Sequence, residues 1–210
     1  MNTSIAAVIL AGGASSRMEQ PKALLRVGGT TFLQHIASTI AAATIADVVI
    51  VLGAGHDVIQ STLGWFTGRV VVNDEWESGQ LSSIKTGIAS ITGIAGNAGN
   101  AGLGESNRSG ILIWPVDHPL VSADVIGEMV RVFQDETPAI VVPVCRGRRG
   151  HPVIISPVLF DEVRAAPIDA GLRFVVRAHE AEIRDVVTED EGVLINIDTP
   201  DQYARYIALR

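Results

Sequence analysis

A glycine-rich segment near the start of the chain contains residue types that bind phosphate. It runs from Leu10 to Lys22 and follows an apolar stretch that predicts a buried strand. The adjacent glycines Gly12 and Gly13 let backbone N–H groups approach an anion closely. Arg17 offers a bidentate guanidinium and Lys22 a compact ammonium to phosphate oxygens. The segment has neither the Gly-Lys-Ser/Thr ending of a P-loop nor the third glycine of a dinucleotide fingerprint. It predicts a phosphate site, and the alternative is an ordinary strand-to-helix turn.

A single aspartate stands between two prolines further along the chain. Asp117 lies between Pro115 and Pro119, directly after an apolar run. Because prolines restrict the backbone, the carboxylate is held with little freedom. Mg²⁺ prefers one or two carboxylates together with phosphate oxygens and water. The sequence therefore predicts that Asp117 binds Mg²⁺, and the alternative is a turn or helix-capping aspartate. We assign the neighbouring His118 no function.

A third polar segment joins a predicted strand to a predicted helix. Asn73 ends the strand, and Ser82 and Ser83 lie in the first turn of the helix. The dipole and the free N–H groups of a helix N-terminus favour anions. Amide and hydroxyl groups at such a position can also hydrogen-bond the edge of a base. We expect a nucleotide here, with a capped helix start as the alternative.

Apolar runs alternate with amphipathic stretches through the first two thirds of the chain. The runs predict strands over Ile5–Leu10, Asp47–Leu52, Arg69–Asn73, Ile111–Trp114 and Ala139–Val144. The amphipathic stretches predict helices over Phe32–Ala43, His56–Leu63, Leu81–Ile91 and Ala123–Phe133. This alternation predicts an α/β fold in which helices cover both faces of a mostly parallel sheet. Ligands of such sheets bind beyond the carboxyl ends of the strands, where all three polar segments lie.

The last third of the chain follows a different pattern. An arginine-rich turn within residues 145–156 predicts a β-hairpin on the same sheet. We expect helices over Pro157–Ala165 and Ala170–His179, strands over Ile183–Val187 and Val193–Ile195, and a final helix from Pro200 to Leu209 capped by Thr199. Residues 1–210 are therefore predicted to form a single domain. The low-complexity stretch Gly93–Gly110 is predicted to be a flexible surface loop.

The composition argues against several classes of protein. Asp and Glu total 23 against 16 Lys and Arg, a formal charge of −7, whereas general nucleic-acid binders need a basic surface. A hydrophobic content of 47% argues against disorder. No apolar run reaches the ~18 residues of a membrane span, so we expect no membrane partner. Cys145 is the only cysteine, which excludes an intramolecular disulfide and fits a reducing, cytoplasmic environment.

The first segment resembles the motif LAGGxSxRMxxPK of the MobA-like NTP transferases. These include the molybdenum-cofactor guanylyl- and cytidylyltransferases, and the resemblance extends from Ile5 to Tyr206. It implies a Rossmann-like nucleotidyltransferase fold and transfer of NMP from an NTP with release of pyrophosphate. It also implies that Arg17, Lys22 and Asp117 are catalytic. The residues implied to bind the nucleotide are Leu10, Ala11, Gly12, Gly13, Ser15, Arg17, Lys22, Asn73, Gly79, Ser82 and Ser83.

Two further motifs resemble the cytidylyl, MocA-like branch of this family. The run from Asn196 to Pro200 implies that Asp198 is a second carboxylate for the same Mg²⁺ as Asp117, and the alternative is a helix-capping aspartate. The run from Arg149 to Val153 implies a hairpin that faces the second substrate. Its implied ligands are Arg149, Gly150 and His151, with phosphate contacts from Arg146, Arg148 and Arg149. The run Gly171-Leu172-Arg173 also resembles a family position near this substrate, which implies that Arg173 is a further ligand. A solvated basic turn is the alternative for the hairpin.

The resemblance implies substrates as well as residues. The two MocA-like motifs and the five-residue step from Arg17 to Lys22 favour CTP, whereas the Leu-Ala-Gly-Gly opening favours GTP, and CTP is preferred. The implied acceptor is molybdopterin, and a molybdoenzyme or a chaperone is the implied protein partner. Two alternatives stay open: the same fold acting on a sugar phosphate or other phosphorylated metabolite, and a non-catalytic chaperone that binds a nucleotide or pterin. Two carboxylates together with Lys22 favour an enzyme.

Overall fold

A mixed β-sheet of eight strands forms the centre of this computed structural model, which describes residues 4–93 and 108–208. A short separate hairpin, β2 with β3, lies beside it. In chain order the strands are β1 (Ser4–Ala11), β2 (Arg26–Val27), β3 (Thr30–Thr31), β4 (Asp47–Leu52), β5 (Arg69–Val72), β6 (Arg108–Pro115), β7 (Ile140–Cys145), β8 (Arg148–Arg149), β9 (Val153–Ile155) and β10 (Ile183–Val187).

The order of the strands across the large sheet is β10-β7-β9-β6-β1-β4-β5, with β8 paired to β7. Strand β9 runs antiparallel to both of its neighbours, β6 and β7. The pairs β10 with β7, β6 with β1, β1 with β4 and β4 with β5 are all parallel. The prediction of a mostly parallel mixed sheet is confirmed.

The register of the central strands brings the loops that follow them to one edge of the sheet. Leu10 of β1 lies opposite Pro115 of β6, and Leu52 of β4 lies opposite Val72 of β5. The Val116 N–H donates to the Leu10 carbonyl at 3.0 Å, just past the end of both strands. The segments after β1, β4, β5 and β6 therefore begin beside one another, as expected for parallel strands.

Helices cover both faces of the sheet, and no helix in the described part of the chain is long and apolar enough to cross a membrane. They are α1 (Phe32–Ala42), α2 (His56–Gln60), α3 (Gln80–Thr92), α4 (Ala123–Glu136), α5 (Phe160–Ala165), α6 (Leu172–Ala178) and α7 (Pro200–Tyr203). A π-helical turn over Ala204–Ala208 continues α7. The prediction of an α/β fold is confirmed.

Two apolar clusters, one on each face, hold the helices to the sheet. On one face Phe32 of α1 and Phe133 of α4 are fully buried together with Trp114 of β6. On the other face Leu81 and Ile88 of α3 pack with residues of α5 and α6. Burial of each such side chain contributes about 1.5–3 kcal/mol to the stability of the fold. The sheet edge that carries the polar loops is therefore supported by a well-packed core.

Helix caps confirm several expected starts. Thr31 caps α1 and Thr199 caps α7, each with a glutamine that completes a capping box. Ser122 caps α4, where its Oγ accepts from the Val125 N–H at 3.5 Å. Because Thr199 fills the capping position, Asp198 does not cap the last helix. The capping alternative for Asp198 is therefore wrong.

Three expectations from the sequence need correction or fall outside the structure. Val193–Ile195 is not a strand, because Glu191–Leu194 forms a 3₁₀ helix whose start is capped by Asp190. The Asp190 carboxylate accepts from the Gly192 N–H at 2.8 Å, which turns the chain away from extended geometry. The predicted helix Ala170–His179 is shorter, since α6 begins at Leu172. The predicted loop at Gly93–Gly110 lies mostly outside the described residues.

Candidate active site

The loop after β1 is closed by hydrogen bonds of one serine. Ser15 has a left-handed backbone with φ of 51°. Its carbonyl accepts from the Met18 N–H at 2.8 Å, and its Oγ accepts from the Lys22 N–H at 3.0 Å. These bonds turn the loop back on itself, so that Lys22 begins a short 3₁₀ helix beside the strand ends. Glu19, which lies within this turn, is exposed.

The ammonium group of Lys22 lies between two aspartates from distant parts of the chain. Lys22 Nζ donates to Asp117 Oδ2 at 3.4 Å and also to Asp198 Oδ1. Arg17 lies 3.2 Å from the second oxygen of Asp198, which also accepts from Asn196 Nδ2 at 2.9 Å. The structure thus brings together the three predicted catalytic residues and both predicted metal ligands.

Charge and burial act in opposite directions on Asp198. Partial burial acts to raise its pKa, but hydrogen bonding and charge from Lys22, and then from Arg17, outweigh burial. The pKa of Asp198 therefore lies below its ordinary value, and the carboxylate is ionised at neutral pH. An ionised carboxylate is the kind of ligand that a hard divalent cation prefers.

Asp117 is held by its backbone and has one carboxylate oxygen to spare. The Ile197 N–H donates to the Asp117 carbonyl at 2.8 Å, which fixes the loops carrying Asp117 and Asp198 side by side. Asp117 Oδ1 is buried and has no hydrogen-bond partner within residues 4–93 and 108–208. Such an unpaired buried oxygen is costly unless a ligand uses it. These residues fit a hard divalent cation such as Mg²⁺ or Mn²⁺.

A cavity of about 280 Å³ opens beside this cluster at the carboxyl edge of the sheet. Its walls come from the loop after β1, the start of α3 and the segment after β6. The predicted nucleotide residues that line it are Leu10, Ala11, Gly12, Gly13, Ser15, Lys22, Gly79 and Ser83, and Asp117 lines it as well. Trp76 and Gln80 also line the cavity but were not among the predicted site residues.

The start of α3 supplies backbone donors to this cavity. Gly79 precedes the helix with φ of 105°, a conformation that favours glycine, and no side chain caps the helix start. The Ser82 N–H already donates to the Gly79 carbonyl at 3.1 Å, which leaves the N–H groups of Gln80 and Leu81 to an anion at the start of this 13-residue helix. The anion site at this helix end stays a prediction, which these N–H groups support.

Asn73 and Ser82 lie behind the cavity and do not line it. Asn73 is buried, and its Nδ2 donates to Ser82 Oγ at 2.7 Å and to Ser83 Oγ at 3.0 Å. Asn73 Oδ1 accepts from the Glu75 N–H at 3.1 Å. With its amide used in this way, Asn73 orients the two serines and is not free to read a base. The expectation of a base contact from Asn73 is therefore wrong in this structure.

A second cavity of about 420 Å³ lies next to the first, and Gln80 and Pro115 border both. All four predicted acceptor residues, Arg149, Gly150, His151 and Arg173, line it. Gly150 is required here by close packing, because a Cβ would lie 2.2 Å from the Val193 carbonyl oxygen. Two adjacent cavities at one sheet edge can hold two reactants side by side.

Two of the three hairpin arginines already have acidic partners. Arg149 Nε lies 2.7 Å from Asp185 Oδ1, and its Nη1 lies 2.5 Å from Glu180 Oε1. Arg146 pairs with Glu191. The contact of Arg146, Arg148 and Arg149 with an acceptor phosphate stays a prediction, and acidic partners from distant segments already pair with Arg146 and Arg149.

Arg173 has a different environment from the hairpin arginines. Its Nε donates to the Ala170 carbonyl at 3.3 Å, and no carboxylate pairs with it within the described part of the chain. Its charge remains available to an anion in the second cavity. Arg173 is thus the best-placed cation there for an acceptor phosphate.

A pair of histidines lies beside the second cavity, which His151 lines. The rings of His118 and His151 lie 4.6 Å apart between centroids. Burial, and then the neighbouring His151, lower the pKa of His118 to about 3, and burial lowers the pKa of His151. Both rings are therefore neutral at physiological pH. The Trp114 indole N–H donates to the His118 carbonyl at 2.9 Å and fixes its backbone.

The family model described as the MobA-like NTP transferase domain matches residues 7–183. The chain belongs to the MobA-like NTP transferase family. Membership in this family makes the protein a nucleotidyltransferase.

Two curated relatives align with nearly the whole MobA-like chain. Nicotine blue oxidoreductase of Paenarthrobacter nicotinovorans is 29% identical over 97% of this chain and 96% of its own. Molybdenum cofactor guanylyltransferase of Shewanella sediminis is 27% identical over 96% of this chain and 95% of its own. The family thus contains relatives whose names describe different reactions.

Solved structures share the fold of this MobA-like protein. The Rv0371c protein of Mycobacterium tuberculosis is 24% identical, covers 99% of both chains and has a TM-score of 0.82. A structure of that protein in complex with manganese has a TM-score of 0.75, with 22% identity over 98% of this chain and 99% of that one. At this level of identity the likeness establishes the fold alone.

Proposed function

We propose that this MobA-like protein transfers NMP from an NTP to a phosphorylated acceptor in a Mg²⁺-dependent reaction. CTP is the proposed nucleotide, in preference to GTP, and molybdopterin is the proposed acceptor. The observation that carries the proposal is that Lys22, which is paired with both Asp117 and Asp198, lines a cavity that shares Gln80 and Pro115 with a second cavity. One cavity has the donors for a triphosphate, and the other has a free guanidinium for an acceptor.

The reaction needs no covalent intermediate with the protein. An acceptor phosphate oxygen forms a bond to the α-phosphorus, and the bond from the α-phosphorus to the bridging oxygen breaks. Pyrophosphate leaves with the electron pair of that bond. The protein positions the two reactants and stabilises the charge that develops on the phosphates.

The residues of the first cavity have separate roles in this proposal. Backbone N–H groups after β1 and at the start of α3 bind triphosphate oxygens. Lys22 and Arg17 add positive charge beside the α-phosphate and the leaving pyrophosphate. Asp117 and Asp198 would hold Mg²⁺, which neutralises phosphate charge and orients the α-phosphate when it is bound.

The second cavity is proposed to hold the acceptor. Arg173 would bind its phosphate, and Gly150 and His151 would form the wall nearest the first cavity. Arg149 already pairs with acidic side chains and stabilises the hairpin, so Arg173 is the main phosphate ligand in this proposal. Because Gln80 and Pro115 border both cavities, an acceptor phosphate near Pro115 lies close to Asp117 and the α-phosphate.

The preference for CTP rests on the MocA-like motifs in the sequence. These are Gly150-His151-Pro152-Val153, Asn196 to Pro200 and the spacing of Arg17 and Lys22. The Leu-Ala-Gly-Gly opening and a curated relative named as a guanylyltransferase point towards GTP. A comparison of kcat/KM for CTP and GTP with one acceptor decides between the two bases.

Three other candidates define the controls of the functional test. A sugar phosphate or other metabolite is the alternative acceptor, and a non-catalytic nucleotide or pterin chaperone is the alternative class. The relative named as an oxidoreductase makes a redox reaction the third candidate. A molybdoenzyme or chaperone partner and a cytoplasmic location remain predictions from the sequence.

The test is a pyrophosphate-release assay on the purified chain with MgCl₂. Each of four NTPs is combined with molybdopterin, with a panel of sugar phosphates, or with no acceptor. Pyrophosphate release that requires molybdopterin supports the proposal. Release only with a sugar phosphate identifies the alternative acceptor. Nucleotide binding without release in any combination favours the chaperone, and oxidoreductase activity without release favours a redox enzyme.

A further inference from the structure

The ammonium group of Lys22 occupies the space between the two carboxylates that would hold a cation. It donates to one oxygen of Asp117 and to one of Asp198, and its side chain is only 13% exposed. A divalent cation shared by the two carboxylates has to lie between them, where the ammonium group lies, although Asp117 Oδ1 itself stays unpaired among the described residues. Lys22 and the cation therefore compete for one position.

The local charges are balanced before any ligand binds. Arg17 and Lys22 supply two positive charges, and Asp117 and Asp198 supply two negative ones. A free divalent cation would add two uncompensated positive charges to this half-buried cluster. Mg²⁺ also releases its water reluctantly, so it gains little from carboxylates that are already paired.

A triphosphate changes this balance. Its oxygens carry several negative charges, and Lys22 lines the cavity where the backbone donors would bind them. The flexible stem of lysine lets the ammonium move from the carboxylates to the phosphates while its backbone stays fixed to Ser15. The freed carboxylate oxygens and the phosphates together then provide a set of oxygen ligands for the cation.

We propose that Lys22 excludes a free divalent cation from the Asp117–Asp198 site until a nucleoside triphosphate draws its ammonium group away. The inference rests on the proposed function, because it requires that the first cavity binds a nucleotide. Lys22 thereby determines that the cation enters with the nucleotide and not before it. The same residue opposes binding of the cation alone and supports binding of the nucleotide.

The test measures Mn²⁺ binding in the absence of nucleotide, by electron paramagnetic resonance of the free ion. Wild-type protein is compared with Lys22→Met and with the control Lys85→Met, since Lys85 Nζ donates to the Ala166 carbonyl at 2.8 Å. Lys22→Met removes the ammonium group that competes with the cation. We expect this variant to bind Mn²⁺ about 10- to 100-fold more tightly than wild type, the scale of one charge-assisted contact. Lys85→Met is expected to match wild type. Equal or weaker Mn²⁺ binding by Lys22→Met overturns the proposal.

Two further variants keep this test decisive. Lys22→Gln repeats the removal of charge with a polar side chain, should Lys22→Met fail to fold. In Lys22→Met/Asp198→Asn the gain in Mn²⁺ affinity is expected to disappear. A gain that persists in the double variant means that Mn²⁺ binds elsewhere, and it also overturns the proposal.

A second measurement separates this inference from the proposed function. Mn²⁺ retained with wild-type protein on ultrafiltration is measured with and without CTP or GTP. Nucleotide is expected to increase retention. If neither nucleotide does so while Lys22→Met still gains Mn²⁺ affinity, the proposed function fails and exclusion by Lys22 stands. If wild-type protein retains Mn²⁺ as well without nucleotide as with it, while the nucleotide itself binds, the inference fails alone.

Discussion

Lys22 and Asp198 lie 176 residues apart in the chain, and the ammonium group of one donates to the carboxylate of the other. The contact joins the loop after the first strand to the segment before the last helix. It forms only when β1 and β6 are adjacent, because Asp117 after β6 holds the Asp198 segment through the Ile197 N–H. The site therefore depends on the whole fold and on no single motif.

Loss of the Lys22 side chain is expected to weaken nucleotide binding far more than loss of Lys85. Lys22 faces the first cavity, whereas Lys85 binds a carbonyl of the protein. A charge-assisted contact corresponds to ~1.5–3 kcal/mol, or about 10- to 100-fold in affinity. Calorimetric titration of CTP into Lys22→Ala and Lys85→Ala checks this. Similar losses in both variants would contradict the assignment of Lys22 to the phosphates.

The two carboxylates are expected to act as a unit. Asp117→Asn and Asp198→Asn should each lower kcat by about 100-fold or more, the scale for loss of one preorganised charged group. Because groups that act together are strongly non-additive, the double variant should be little worse than the worse single one. Asp201→Asn, an exposed position in α7, is the control and should stay within about twofold. Multiplicative losses in the double variant would show two independent roles.

Gly150 and Gly127 form a matched pair for stability. A Cβ at Gly150 would lie 2.2 Å from the Val193 carbonyl oxygen, whereas one at Gly127, inside α4, meets no atom within 4 Å. Gly150→Ala should destabilise by about 1–3 kcal/mol, as overpacking does. Gly127→Ala should stabilise by about 0.5–1 kcal/mol, because alanine favours a helix interior. Urea unfolding of both variants measures the two effects, and equal changes would be inconsistent with the packing at Val193.

His179 is expected to stabilise the fold more at acidic than at alkaline pH. Hydrogen bonds to Glu162 and then to Glu182 raise the pKa of His179, with ring nitrogens 2.6 and 2.7 Å from the two carboxylates. A group whose pKa is higher in the folded state than in the unfolded state stabilises the fold. This contribution is fully present below the pKa of the unfolded state, and it is lost as the pH rises through the pKa of the folded state. The difference in Tm between wild type and His179→Gln should be larger at about pH 5.5 than at about pH 8.5. A difference independent of pH would show that the ring is not charged in the fold.

The strands and helices of the first two thirds could be predicted because each has a strong local pattern. The run Val48–Leu52 is continuously apolar, and the predicted strand Asp47–Leu52 has those bounds in the structure. Val193–Ile195 has the same residue types but forms a 3₁₀ turn, because the Asp190 carboxylate binds backbone N–H groups from two segments. A partner supplied by another part of the chain overrides a local pattern of three residues.

In the candidate site, too, features set by local sequence could be predicted, and contacts between distant segments could not. The glycines and Lys22 could be assigned because their spacing within one loop indicates phosphate chemistry. The pairing of Arg149 with Asp185 could not be predicted, because nothing in the sequence of the hairpin identifies an acidic partner on β10. The contact of His118 with His151 likewise depends on how the hairpin packs beside β6.

Acceptor-dependent pyrophosphate release tests the proposed nucleotidyl transfer most directly. Wild-type protein, MgCl₂, CTP and molybdopterin are combined, and pyrophosphate and the dinucleotide product are quantified together. We expect both to appear in equal amounts, to require the acceptor and the divalent cation, and to fall sharply in Asp117→Asn. Nucleotide bound without pyrophosphate release, with every NTP and acceptor tried, would contradict nucleotidyl transfer at this site.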